Sequence, residues 1–262
     1  MMLSTQRVEK PWGRSDLPAA FGASRDARIG EIWFADESSA DLPVLIKWLF
    51  TSEKLSIQVH PSDAEAKTRG LDSGKEECWY IVDAEPGAVL GIGTKMPLSP
   101  EAVRAASLSG DIENLIDWKP VKTGDYYYIP AGTVHAIGAG ITLVEVQQNA
   151  DITYRLYDYG RPRPLHLDDG VAVSSAAPYA DERCGSVATS KQLVNGPYFD
   201  LWVVDGNDAD RPIPTGKRRW ILPVRGTVQA GLQDVAVSQC WLDCNGAQIA
   251  IPPGSIALIA VA

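Results

Sequence analysis

Short apolar runs of strand length, closed by Gly, Pro, Asn or Asp, recur along most of this chain and confine it to a mainly β fold. They fall at 29–34, 43–50, 55–60, 77–82, 88–93, 126–130 and 141–147. Short strands at such spacing favour a barrel or sandwich over a doubly wound sheet. Two helical interruptions are expected. Pro61-Ser62-Asp63-Ala64-Glu65-Ala66-Lys67 starts with a cap residue followed by acidic first-turn side chains. Ser99-Pro100-Glu101 joins an N-cap to a proline at the first helical position, and apolar positions then run to about Trp118. That 99–118 stretch is read as a helical excursion from the barrel.

Apolar periodicity lapses around 170–190, through Ser174-Ser175-Ala176-Ala177-Pro178 and Asp181-Glu182-Arg183, which is where a linker is expected. Strand patterns resume at 199–204, 218–224, 227–231, 247–251 and 256–261. The expected organisation is a catalytic barrel over 1–185 and a small β domain over 186–262. The second unit contains no histidine, and it is not expected to hold a metal.

A net charge of -9 argues against nucleic acid or an anionic membrane surface as partner. A small anionic substrate stays open, because it responds to local lysines and arginines. The N-terminus lacks the apolar core of a signal peptide, and the longest apolar stretch, 256–262, is too short to span a bilayer. Cysteines 78, 184, 240 and 244 form no CxxC pair. A cytoplasmic protein with free thiols is expected, as monomer or homodimer.

The chain has three histidines. Residues i and i+2 of a strand share a face, so Gln58 and His60 can point the same way while Val59 points oppositely. Glu77 opens a second apolar strand, and His135 follows the Pro130-Ala131-Gly132 turn that closes a third. One glutamine, one glutamate and two imidazoles from three strands suit a borderline divalent metal. The competing reading makes His60 and His135 satisfied core histidines; it must hold for both at once. His166, in a Pro-Arg-Pro-Leu-His run, is read as a loop residue.

The segment Gly124-Asp125-Tyr126-Tyr127-Tyr128-Ile129-Pro130-Ala131-Gly132-Thr133-Val134-His135 resembles the second motif of the cupin superfamily, which implies a cupin-type β-barrel, or jelly roll. Leu55-Ser56-Ile57-Gln58-Val59-His60-Pro61, Gly74-Lys75-Glu76-Glu77-Cys78-Trp79-Tyr80 and Asp151-Ile152-Thr153-Tyr154-Arg155-Leu156-Tyr157-Asp158 closely resemble the short bacterial type I mannose-6-phosphate isomerases. Lys-Pro-Trp-Gly at 10–13 and Glu-Ile-Trp at 31–33 are similar to that family too, and the likeness covers about 10–165. It implies one zinc per chain on Gln58, His60, Glu77 and His135. It also implies a sugar-phosphate substrate and interconversion of mannose-6-phosphate and fructose-6-phosphate. Lys75 and Arg155 become active-site residues with Asp151 nearby, and Lys47 a substrate contact. In the long members a histidine stands where this chain has Gly74, so a residue discussed there as acid/base catalyst is absent.

Such an isomerisation needs a base, an electrophile to stabilise the oxyanion and a phosphate anchor. Arg155 is expected to stabilise enediolate charge. Lys75, with its pKa lowered by the metal, is expected to assist ring opening or proton transfer. Lys75, Asp151, Glu145 and a bound water stay open as the base. Trp12 and Glu145 join Lys47 as substrate-binding candidates. Each has a plainer reading: Lys47 pointing outward from its strand, Lys75 as a salt-bridged rim lysine, Arg155 clamping Asp151 or Asp158. Arg161-Pro162-Arg163 is read as a solvated loop, and Trp12, Trp33, Trp79 and Tyr126–Tyr128 as core filling, with one or two at a barrel mouth left open to sugar stacking. Two other classes compete: a different metal-dependent cupin enzyme, which the glutamine ligand disfavours, and a non-catalytic sugar-phosphate-binding cupin.

Overall fold

The computed structural model describes residues 1–22, 27–35, 42–216 and 218–262. Its first eleven strands are β1 (Thr5–Arg14), β2 (Ile29–Phe34), β3 (Val44–Phe50), β4 (Ile57–Val59), β5 (Glu77–Ala84), β6 (Val89–Thr94), β7 (Ile116–Pro120), β8 (Asp125–Ile129), β9 (His135–Ile137), β10 (Ile141–Gln148) and β11 (Tyr154–Tyr157). With β12 (Cys184–Ser186) they form two sheets, ordered β1-β2-β3-β10-β5-β8-β12 and β11-β4-β9-β6-β7. Leu49, Trp79, Ile81 and Leu143 of the first sheet meet Leu90, Ile92 and Ile137 of the second in one buried cluster. That shared core makes the pair a cupin-type barrel.

The first sheet is covered on both faces. Ile46, Trp48, Phe50, Tyr80 and Val144 face away from the barrel and pack on Leu201, Val203, Trp220, Leu222 and Leu258. Those partners lie on β14 (Asp200–Asp205), β15 (Arg219–Arg225) and β20 (Ile256–Val261). Together with β13 (Lys191–Asn195) and β18 (Trp241–Asp243) these strands make a further sheet, ordered β13-β14-β20-β15-β18. A three-stranded sheet pairs β17 (Gln233–Ala236), β16 (Thr227–Ala230) and β19 (Ile249–Ala250). Among the described residues, neither of these two sheets includes a strand from before residue 191. Two-sided coverage explains why all seven residues of β3 are buried.

Helices shield the second sheet. In α1 (Asp63–Thr68) the Ser62 hydroxyl caps Glu65 while the Glu65 carboxylate accepts from the Ser62 amide, a capping box set directly after His60. The second interruption is α2 (Pro100–Ser109) and α3 (Ile112–Leu115), after which the chain becomes β7. Helix therefore ends at Leu115 instead of running on to Trp118, because Ile116 and Trp118 align with Thr94 and Gly91 of β6. The stretch read as linker takes in the end of α4 (Leu167–Val173) and the edge strand β12. Val171 and Val173 of α4 join Val103, Ala106 and Ile112 against the outward side chains Ile57, Val59 and Leu156. Short helices whose apolar residues serve one local contact carry too few turns to show a period.

Candidate active site and metal centre

Strand parity aims the candidates. Ile57 and Val59 point outward to the helices, so Gln58 between them points into the barrel. On β9, His135 pairs with Gln58 on one side and with Ile92 on the other. Glu77 leads β5 on the same face as Trp79 and Ile81 of the barrel core. The turn before His135 needs Gly132, whose φ is +82°; its amide donates to the carbonyl of His60 at 2.8 Å.

His60, Glu77 and His135 are all buried, and each offers a donor atom within 4.8 Å of the others. His60 Nε2 lies 3.5 Å from Glu77 Oε2, and His135 Nε2 lies 3.5 Å from Glu77 Oε1. N and O ligands about 2.0–2.1 Å from one tetrahedral ion sit at roughly such separations. His60 Nδ1–H donates to the carbonyl of Ile152 at 2.7 Å and His135 Nδ1–H to that of Thr133 at 2.9 Å. Both rings thereby turn an unprotonated Nε2 inward, the orientation that metal-binding imidazoles need. The Gln58 amide reaches His135 Nε2 at 3.3 Å, and a half-turn of that amide puts its oxygen in the same place.

Among the described residues, His60 Nε2 and both Glu77 oxygens are buried with no hydrogen-bond partner. Lys75 Nζ stands 2.7 Å from Glu77 Oε2 as an ion pair. Orphaned donors of this kind cost free energy unless something takes them, and a cation does. The donor set therefore fits a divalent ion. Burial lowers His60 to about 3, helped by Lys75, and also lowers His135, so both imidazoles are neutral. Burial alone would raise Glu77, but the charged Lys75 beside it more than offsets that and holds it ionised.

A cavity of about 250 Å³ opens beside these donors. Gln58, Lys75, Glu145, Asp151 and Arg155 line it, as do Lys47 and Trp12. Lys47, Glu145 and Trp79 stand opposite one another across β3, β10 and β5 in one inward row. Lys47 Nζ lies 3.4 Å and Lys75 Nζ 3.5 Å from the same Glu145 oxygen, while Trp79 Nε1–H donates to the other at 3.0 Å. Burial raises Glu145, with Glu77 adding to the effect. Lys47 thus points inward, and Lys75 is buried, not a rim residue. Burial opposes the charge on Lys75, yet Glu145 and Glu77 outweigh it and raise its pKa.

Several readings need correcting. Arg161 and Arg163 are no solvated loop: Arg163 donates twice to buried Asp158, at 2.6 and 2.7 Å, and lines the cavity. Arg161 donates to the same carboxylate at 3.0 Å. Arg155 clamps neither Asp151 nor Asp158 among the described residues; its Nη1 donates to the carbonyl of Pro164 at 2.8 Å. His166 does lie in a loop, directly before α4, and its Nδ1 accepts from the Arg155 amide at 3.1 Å. Trp33 fills no core; it stands half-buried over Lys47. Gly74 admits no histidine, since a Cβ there would lie 2.4–2.6 Å from the backbone of residues 61–63. Lys10, Glu31, Ser56 and Arg163 also line the cavity and were missed. Ser56 was legible, being two residues before Gln58 on the same strand face. Burial would raise Glu31, but Lys47 and Lys10 more than compensate and keep it charged.

No protein-family model matches the chain. A mannose-6-phosphate isomerase of Streptococcus mutans serotype c is 33% identical over 216 residues, 78% of this chain and 68% of that protein. The chain belongs to the mannose-6-phosphate isomerase family. The crystal structure of the Bacillus subtilis mannose 6-phosphate isomerase superposes with a TM-score of 0.81 at 26% identity, covering 100% of this chain and 99% of that one. A zinc-bound mannose 6-phosphate isomerase shares the fold at 14% identity, with a TM-score of 0.71 over 98% of both chains. The buried His-Glu-His group lies inside the first barrel.

Proposed function

We propose that this chain interconverts mannose-6-phosphate and fructose-6-phosphate with one zinc ion held by Gln58, His60, Glu77 and His135. The observation that carries this is the set of orphaned Nε2 and carboxylate atoms beside a cavity rich in lysine and arginine. When bound, the ion supplies Lewis acidity toward the sugar oxygens.

The chain's own residues divide the remaining work. Arg155 offers charge to the cis-enediolate that forms as a proton passes between C1 and C2. Lys75 stands charged between Glu77 and Glu145 and donates to a sugar oxygen during ring opening. Asp151 and Glu145, two of the three carboxylates on the cavity wall, hold or move that proton. Lys47 and Trp12 bind substrate, and Arg163 with Ser56 offers donors to the phosphate. Residues 1–185 are the catalytic unit and 186–262 a β domain that buries the outer face of the first sheet and ligates no metal. The reading takes the protein as cytoplasmic, working as monomer or homodimer; its four cysteines are free, as in a reducing compartment, and no described helix is long and apolar enough to cross a membrane.

The test is a coupled assay with mannose-6-phosphate together with metal analysis of the purified protein. Turnover with about one zinc per chain is expected. Zinc-loaded protein that binds the sugar phosphate and forms no fructose-6-phosphate would make it a binding protein instead.

A further inference from the structure

One indole links two of the cavity lysines. Lys47 Nζ lies 4.4 Å above the centre of the Trp33 ring, within cation–π range, and the two residues are paired across β2 and β3. The edge of the same indole turns to the opposite partner: Trp33 Nε1–H donates to Glu31 Oε2 at 2.6 Å. Lys10 Nζ lies 3.3 Å from the other Glu31 oxygen. Lys10, Glu31 and Lys47 all line the cavity.

The need for such a support follows from the carboxylate inventory. Lys47 is 3% exposed and shares one oxygen of Glu145 with Lys75. Lys75 has Glu77 as a second carboxylate partner at 2.7 Å, whereas among the described residues Lys47 has an ion pair with Glu145 alone. The electron-rich ring face supplies the second side for Lys47 without forming a salt bridge that would neutralise it. A carboxylate in that place would compete with an incoming anion, and an indole does not.

We propose that Trp33 is a positioning residue for the anionic substrate: its ring aims Lys47, and its N–H, acting through Glu31, aims Lys10. The proposal rests on the reading of this cavity as a sugar-phosphate site. Trp33 itself need not touch the substrate. Both lysines then act equally on bound substrate and transition state, so the effect falls on KM and not on kcat.

Steady-state kinetics of Trp33→Phe and Trp33→Leu separate the two arms, with zinc content and Tm followed in each. Trp33→Phe keeps a ring and loses the N–H; KM is expected to rise about threefold with kcat within about twofold. Trp33→Leu loses both, and KM is expected to rise about tenfold. In a Lys47→Ala background the Leu and Phe variants should share one KM, because the ring then has nothing to aim. In a Glu31→Gln background Trp33→Phe should add less than about twofold, which keeps the second arm readable if the leucine variant fails to fold. An unchanged KM in Trp33→Leu, a loss confined to kcat, or a ring effect that persists without Lys47 overturns the proposal. If the wild type turns over no sugar phosphate, the functional reading fails separately. Calorimetric affinity for mannose-6-phosphate then decides: equal affinities of wild type and Trp33→Leu, or none in either, overturn the positioning role as well.

Discussion

The amide of Gly132 donates to the carbonyl of His60 at 2.8 Å, so the turn that delivers one histidine is fastened to the residue that supplies the other. The two imidazole centroids stand 4.8 Å apart as a result. At φ +82° an L side chain is strained by roughly 1–2 kcal/mol, and a Cβ would come to 3.1 Å of the Val173 carbonyl. Gly132→Ala is therefore expected to lower both Tm and zinc content. Calorimetry with metal analysis checks it, and a fully loaded, unshifted variant would show that the turn does not set the histidine spacing.

Removing a ligand should empty the site. His60→Ala and His135→Ala are each expected to lose zinc and turnover, and chelation of the wild type should abolish activity. Cys240 is buried in the C-terminal region and Cys244 exposed, so changing both to serine should leave metal content unaltered. Full zinc in His135→Ala, or loss of zinc in the double serine variant, would refute the ligand assignment.

Arg155 and Lys47 should separate chemistry from binding. Arg155→Ala is expected to lower kcat by about 10²–10³ with little change in KM, since it meets charge that develops only in the enediolate. Lys47→Ala is expected to act mainly on KM. The kinetics of both variants, with zinc measured in each, decide the roles; wild-type kcat with a raised KM in Arg155→Ala would make it a binding residue.

Arg163 carries a related expectation. Asp158 holds it at the cavity by two hydrogen bonds, so Arg163→Ala should raise KM for mannose-6-phosphate while leaving kcat near wild type. Asp158→Asn should do the same more weakly, because the arginine survives and only its aim is loosened. Initial-rate measurements across substrate concentration test both, and an unchanged KM in Arg163→Ala would remove it from the phosphate site.

Acid stability should report on Asp243. Its carboxylate accepts from Arg219 at 2.9 and 2.5 Å and from the amides of Asn245 and Ala247 at 3.1 Å, all within the C-terminal sheets. Burial works against the charge, but Arg219 and those amides lower the pKa below the ordinary value of 3.8. A depressed folded pKa gives stability that is complete above the unfolded value and fades as pH falls through the folded one. Wild-type Tm should accordingly drop below about pH 4. Asp243→Asn should be less stable by about 3–5 kcal/mol at neutral pH, with Arg219 left unpaired, and its acid limb should be flatter. Parallel Tm–pH curves for the two proteins would exclude this carboxylate as a source of the acid loss.

Much of the molecule was legible from local pattern. The strand runs, the two capped helix starts and the Gln-x-His, Glu and Pro-x-Gly-x-x-His placements each depend on residues close in sequence, where alternation and turn chemistry fix the geometry. The side of β3 to which Lys47 belongs was not legible. That strand is covered on both faces, so its apolar run carries no alternation, and only the packing of the C-terminal sheet on Ile46, Trp48 and Phe50 turns Lys47 inward. Arg163 looked like loop because its holder, Asp158, is buried only once the chain folds over it. Lys10, Glu31 and Trp33 join the site by long-range strand pairing, and the charged state of Lys75 follows from two carboxylates brought from β5 and β10. Sequence determined which residues could bind a metal and roughly where strands run. Tertiary structure decided which charges share a low-dielectric space, because that depends on contacts between residues far apart in the chain.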